Sequence, residues 1–281
     1  MADRVTADPV GSGREAEQPT GIGAPAIAAA FAAASAAGRA ALMPYMMGGF
    51  PDHETSLAVA DAYADGGADL VELGVPYSDP LADGPVIHAA GTTALNAGAT
   101  FDSVLEICAR LAERVAVVAM TYANMAIARG PEKFAADLAD AGASGVIVPD
   151  LPPEEGGELA AALRGAGLAL VPLIAPTTPP ERRARIAREA EGFIYVVSDT
   201  RTTGERDELP AHLEELVKGT RAEASVPVAV GFGIGTPEQA ATVGRVADGV
   251  IIGSRLVRAV GEDGPEAARE FLPETLSALA R

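Results

Sequence analysis

The chain has 281 residues, 48% hydrophobic but only 4% aromatic, and a formal net charge of −18. That charge argues against nucleic acid or an anionic membrane as a partner. It leaves room for a small phosphorylated ligand, because backbone N–H groups can hold phosphate without a basic side chain.

Residues 1–23 are rich in glycine, proline and acids and read as a disordered tail ahead of one folded domain over 24–281. Asp3 and Arg4 precede no apolar stretch of the signal-peptide kind. Ala24–Ala37 reads as a short amphipathic helix closed by Gly38, too weakly hydrophobic for a membrane span, so a cytoplasmic protein is expected. The lone cysteine, Cys108, cannot form an internal disulfide, which fits a reducing compartment; its helical setting reads as a small buried apolar residue.

Eight short apolar runs then follow: Leu42–Met47, Asp69–Leu73, Val115–Met120, Gly145–Val148, Leu168–Leu173, Phe193–Val197, Val226–Val230 and Gly249–Ile252. Between them lie segments of helical spacing, among them Glu132–Ala141, Pro153–Gly165, Pro179–Ala190 and Pro237–Val246. Thr236-Pro237-Glu238 is the clearest helix start: a capping hydroxyl, a first-turn proline and an acid. Near-continuous apolar strands alternating with helices imply a parallel sheet covered on its outer face. A doubly wound sheet places a glycine fingerprint after its first strand, but here the first run is followed by GGFPD. The fold class is therefore α/β, a (β/α)8 TIM barrel, whose chemistry belongs at the carboxyl ends of its strands.

Those ends hold two signals. Glu72 lies near the end of the second run, and a loop held by Pro76, Pro80 and Pro85 brings Asp83 within reach of it. By the period of two, Glu72 points either into the barrel or toward the helices; unpartnered burial would raise its pKa. The seventh run leads into Gly231-Phe232-Gly233-Ile234-Gly235-Thr236, and the eighth into Gly253-Ser254-Arg255, each followed by a helix. Glycines entering helices after these two strands form the phosphate site of such barrels. Schiff-base or pyridoxal chemistry needs a lysine at the site, and the two lysines, Lys133 and Lys218, fall in helical segments. His53, His88 and His212 are scattered without ligand spacing, so no metal and no cofactor is expected. General acid–base chemistry on a phosphate ester is what these residues imply.

The stretch VELGVPYSDPLADGP, followed by IHAAGTTALNAG, resembles the most distinctive signature of the tryptophan synthase alpha chain family. The likeness continues through MTYANMAIARGPEKFAADLADAGASGVIVPDLPPEE, PLIAPTTPPERRARIA, FIYVVS, VAVGFGIGTPEQA and ADGVIIGSRLV, and spans roughly residues 27–262. It implies a lyase of tryptophan biosynthesis that cleaves indole-3-glycerol phosphate to indole and glyceraldehyde 3-phosphate. Such a lyase partners a pyridoxal-containing beta chain in an alpha2-beta2 tetramer. By the same resemblance Glu72 is the general acid–base and Asp83 holds the indole N–H. Tyr45, Tyr195 and Phe232 line the substrate site, and Gly204, Gly233, Ile234, Gly253 and Ser254 bind phosphate.

Two departures stand out. The loop Ser198-Asp199-Thr200-Arg201-Thr202-Thr203-Gly204 lacks the family's basic residue after the serine and its Gly-Val pair, and Met47 replaces a usual threonine. In the family that loop closes over substrate and signals to the beta chain, so the departures bear on closure and coupling rather than on chemistry. The altered loop motivates a second reading, a stand-alone lyase releasing indole; a third is a non-catalytic regulatory subunit of a beta partner. Retention of both Glu72 and Asp83 counts against the third.

Overall fold

The computed structural model describes residues 23–198, 212–231 and 233–281; the expectations for tail residues 1–22, for Gly204 with the altered residues beside it, and for Phe232 lie outside them. The elements run α1 (Ala24–Ala36), β1 (Ala41–Met47), α2 (His53–Asp65), β2 (Leu70–Gly74), α3 (Pro85–Asn96), α4 (Phe101–Ala112), β3 (Ala116–Met120), α5 (Ala123–Arg129) and α6 (Pro131–Asp140). They continue with β4 (Gly145–Ile147), α7 (Gly157–Gly165), β5 (Ala169–Val171), β6 (Leu173–Ile174), α8 (Pro180–Glu189), β7 (Ile194–Val197) and α9 (Leu213–Arg221). The chain ends with β8 (Val228–Gly231), α10 (Pro237–Gly244), β9 (Gly249–Ile252), α11 (Ser254–Asp263) and α12 (Pro265–Ala278).

Every ladder is parallel, in the order β5-β4-β3-β2-β1-β9-β8-β7-β6. The run Leu168–Leu173, expected as one strand, is divided at Pro172, which has no N–H to give a ladder. Its carbonyl still accepts from the Tyr195 N–H at 3.0 Å. β5 pairs with β4 below the proline and β6 with β7 above it, so the two pieces act as one strand that closes the barrel.

The stagger fits this closure. Stepping across the ladders from Tyr45 leads by Glu72, Val118 and Gly145 to Ala169. The remaining ladders resume at Leu173, four residues higher on the same strand, and pass Tyr195, Ala229 and Gly249 to Ala41, four below Tyr45. Two offsets of four give the shear of about eight that belongs to this barrel class.

Alternate strand residues separate two cores. Val71, Leu73, Val117, Val146, Val196, Val230 and Val250 face the helices, whereas Met43, Leu70, Val118, Ile147, Val171, Tyr195 and Ile251 fill the barrel. α1 stops the amino-terminal end with Ile27, Ala30 and Phe31. Gly249 is needed there because an added Cβ would come within 2.7 Å of the Phe31 ring. Cys108 is buried in α4, as expected, and burial pushes its thiol up to about 12. The helix start at Thr236 is also as read: its hydroxyl accepts from the Gln239 N–H at 3.3 Å, and Pro237 opens α10.

Candidate active site

A cleft of about 880 Å³ opens from the barrel mouth, where its lining includes Glu72, Met120, Ile147, Leu173 and Tyr195, and runs outward between α7 and α8, where it includes Arg164 and Glu189. The open question over Glu72 is thus settled by parity. It shares the inward face of β2 with Leu70, while Val71 and Leu73 point to the helices. Tyr45 of β1 and Val118 of β3 stand beside it in register. Only 2% of Glu72 is exposed. Burial in this apolar wall, and secondarily the charge of Asp83, raise its pKa from 4.5 to about 8. At neutral pH it therefore holds a proton and can act as an acid.

Asp83 comes from the turn between β2 and α3. It is partly exposed, and burial raises its pKa while a hydrogen bond from Tyr122 and the His88 charge pull it back. Two carboxyl groups in one mouth thus have different surroundings: one buried and without a basic partner among the described residues, the other hydrogen-bonded and partly exposed.

Tyr45, on the strand next to Glu72, and Tyr195, across the barrel on β7, are built alike. Each leans over a glycine two residues above its in-register neighbour: Tyr45 over Gly74 of β2, Tyr195 over Gly231 of β8. A Cβ at either glycine would overlap the tyrosine hydroxyl. Burial, then the charges of Asp83 and Glu72, keep the Tyr45 phenol well above its ordinary range; burial and Glu72 do so for Tyr195. Both phenols are therefore neutral polar walls. The α2 residue Tyr63 fixes β1 from behind, donating to the Tyr45 carbonyl at 2.9 Å.

The glycine turns follow adjacent, directly paired strands, β8 and β9. Gly233 has φ +82°, a left-handed conformation that glycine adopts without strain. Ile234 and Ser254 are buried, and Ser254 opens α11, where first-turn N–H groups and the helix dipole favour an anion. Gly253 lies against Tyr45, an added Cβ coming 3.7 Å from the tyrosine Cβ, so this anion-favouring end adjoins the carboxylate side of the mouth.

Sequence reasoning missed Met120, Ile147 and Leu173, although inward parity could have found them. It also missed Tyr122, just past the end of β3. Among the described residues, no group of three His, Cys, Asp or Glu side chains could hold a metal ion. Lys133 and Lys218 lie on α6 and α9, as expected, in ion pairs with Asp137 and Glu214.

A family model described as "Tryptophan synthase alpha chain" matches residues 31–278. The chain belongs to the tryptophan synthase alpha chain family. The alpha chain of Rhizorhabdus wittichii is 45% identical over 261 residues, covering 91% of this chain and 96% of that relative. The alpha chain of Gluconacetobacter diazotrophicus is 46% identical over 265 residues, covering 91% and 96%. Among solved structures, tryptophan synthase of Mycobacterium tuberculosis superposes with a TM-score of 0.86 at 37% identity, over 91% of this chain and 98% of that one. The alpha subunit from Legionella pneumophila gives 0.82 at 33% identity, over 90% and 97%. Membership accounts for the shared barrel and for the signature around Glu72 and Asp83.

Proposed function

We propose that this barrel mouth catalyses the reversible retro-aldol cleavage of indole-3-glycerol phosphate to indole and glyceraldehyde 3-phosphate. The observation that carries the reading is Glu72, a buried acid still protonated at neutral pH, beside a second carboxylate and in the same mouth as two phosphate-type turns. Glu72 gives its proton to the indole ring carbon that bears the side chain, and the bond between that carbon and the glycerol chain breaks. The carboxylate so formed takes the proton of the adjacent hydroxyl, whose carbon becomes the aldehyde. Glu72 ends as it began, and no outside reagent enters. Asp83 accepts from the ring N–H and offsets the positive charge that develops there. Tyr45 and Tyr195 flank the reacting atoms, and the backbone around Gly233, Ile234, Gly253 and Ser254 receives the phosphate; Gly204 and Phe232 are assigned by family membership alone.

Glu72→Gln tests this. Indole release should fall at least about a hundredfold, the lower end of what a general acid–base supplies, while inorganic phosphate binding stays near the parent value. Turnover within a few-fold of the parent would refute the assignment.

A tryptophan synthase beta chain is the proposed partner, in an alpha2-beta2 tetramer. Support comes from Leu81, 83% exposed, and Ile127, 68% exposed, two large apolar side chains on the face that carries the mouth. Ile127→Asp should abolish co-elution with a beta chain and its stimulation of indole release; unchanged stimulation would count against this docking face. Nothing in the described residues favours a stand-alone lyase or a regulatory subunit; the altered residues that motivate the first lie outside them.

A further inference from the structure

Asp83 must approach the substrate ring from a loop, and loops position side chains less well than strands do. Three prolines restrict the backbone around it, yet they do not orient its carboxyl group. The contacts that do so meet on one side chain just beyond another strand. Tyr122 caps α5 immediately after β3 and is 3% exposed. Its ring stacks on Tyr77 of the loop, with centroids 5.2 Å apart and an interplanar angle of 26°. Its hydroxyl accepts from the Ala82 N–H at 3.1 Å and hydrogen-bonds the Asp83 carboxylate. One phenol thus grips the loop near its start by the ring, and near its end by the oxygen.

We propose that Tyr122 is a positioning residue for the reaction, holding the Asp83 carboxyl group aimed at the ring nitrogen of the substrate. The inference rests on the reading of Asp83 given above and assigns its support. The hydroxyl can do both jobs because a phenol accepts and donates at once. The Ala82 N–H occupies a lone pair and directs the proton toward Asp83. Burial, and the negative charge of Asp83, keep the phenol above its ordinary range, so that proton stays in place at neutral pH. The other groups facing Asp83 are Glu72 from β2, Tyr45 from β1 and His88 from α3. Of these only His88 also favours the charged form, so Tyr122 is the uncharged member of a two-part support.

Tyr122→Phe removes one oxygen and keeps the stacked ring. In the full chain with its beta partner, kcat for indole release should fall about ten- to hundredfold, the range expected for losing a hydrogen bond to a charged group and its alignment. KM should change by less than about threefold, since the phosphate end is untouched. The acid limb of the pH profile should move to higher pH, because a hydrogen bond that favours the carboxylate is gone. Tyr77→Leu, which spares the hydroxyl, should leave that limb in place. An unmoved limb in Tyr122→Phe, whatever its rate, would reduce Tyr122 to a packing residue and overturn the proposal. An equal movement in Tyr77→Leu would overturn it too, because loop placement and not the hydroxyl would then set Asp83. Glu72→Gln measured alongside separates the possible failures. If that variant is inactive while Tyr122→Phe behaves as the parent, only the Tyr122 assignment falls. If Glu72→Gln itself turns over normally, the catalytic reading falls first.

Discussion

Burying Glu72 without a basic partner has a thermodynamic consequence that can be measured with no substrate present. The folded chain keeps its proton up to about pH 8, whereas an unfolded glutamate releases it near 4.5. Between those values the unfolded state binds fewer protons than the native state, so stability must fall as pH rises. Each unit of separation is worth about 1.4 kcal/mol, and most of the window lies between pH 5 and 8. The loss attributable to this one side chain is therefore of order 3 kcal/mol across that range. Glu72→Gln removes the titration and nearly preserves the shape. Urea melts of parent and variant at pH 5, 6, 7 and 8 isolate the effect, because titrating groups that do not interact with Glu72 cancel in the difference. The variant should gain on the parent steadily with pH, up to that amount, and the gain should level off above pH 8. A difference that stays flat, or one that grows toward low pH, would mean that Glu72 is ionised in the folded chain and cannot serve as the acid.

The same proton predicts that kcat/KM for indole release declines as pH rises through about 8; Asp83→Asn, which removes the second cause of the shift, should move this basic limb to lower pH in its residual activity. Gly231→Ala should destabilise the chain by about 1–3 kcal/mol through overpacking against the Tyr195 side chain, and Tyr195→Phe in the same chain should recover only part of that loss in a double-mutant denaturation cycle, because ring carbons 2.6 and 2.8 Å from the new Cβ remain. Phe31→Ala should cost about 3–5 kcal/mol from the cavity it leaves at the base of the barrel, without moving either limb of the pH profile, since α1 lies at the end opposite the mouth.

The barrel was legible because its determinants are local. Gly249–Ile252 matches β9 at both ends, the other runs differ from their strands by one or two residues, and Thr236 caps α10 as its side chain dictates. Where the reading slipped, contacts distant in sequence decide. Pro153–Gly165 has helical spacing throughout, yet α7 begins only at Gly157. The preceding turn is held instead by Gly156 and Glu155 donating to the Pro152 carbonyl, and Glu154 is drawn into ion pairs with Arg182 and Arg185. Tyr122 escaped notice because Ala82, whose N–H it accepts, lies 40 residues away and no spacing rule links them. The substitution at Met47 also acquires a physical sense. Its thioether is 4.0 Å from the Tyr45 hydroxyl, and its methyl would touch a Cβ at Gly91 of α3 at 3.3 Å. Met47 therefore forms part of the seat of the helix that follows the Asp83 loop.

Basic residues are absent from 70–85, and the energetics of the mouth explain why. A guanidinium or ammonium group within about 4–6 Å of Glu72 would favour its charged form and pull its pKa back toward the ordinary carboxylate range. The chain would be more stable for it at neutral pH, and the proton that the ring carbon needs would be gone. Each group named as shifting Glu72 acts in the opposite sense: burial first, then a second negative charge. Asp83 contributes twice in this arrangement. It is the proposed acceptor for the ring N–H, and it raises the acid beside it. Its own support comes from a neutral phenol, and His88, which also favours its charged form, stands on α3 rather than on the strands that flank Glu72. Stability surrendered at one buried carboxyl and the chemistry of the mouth are thus the same free energy seen from two sides.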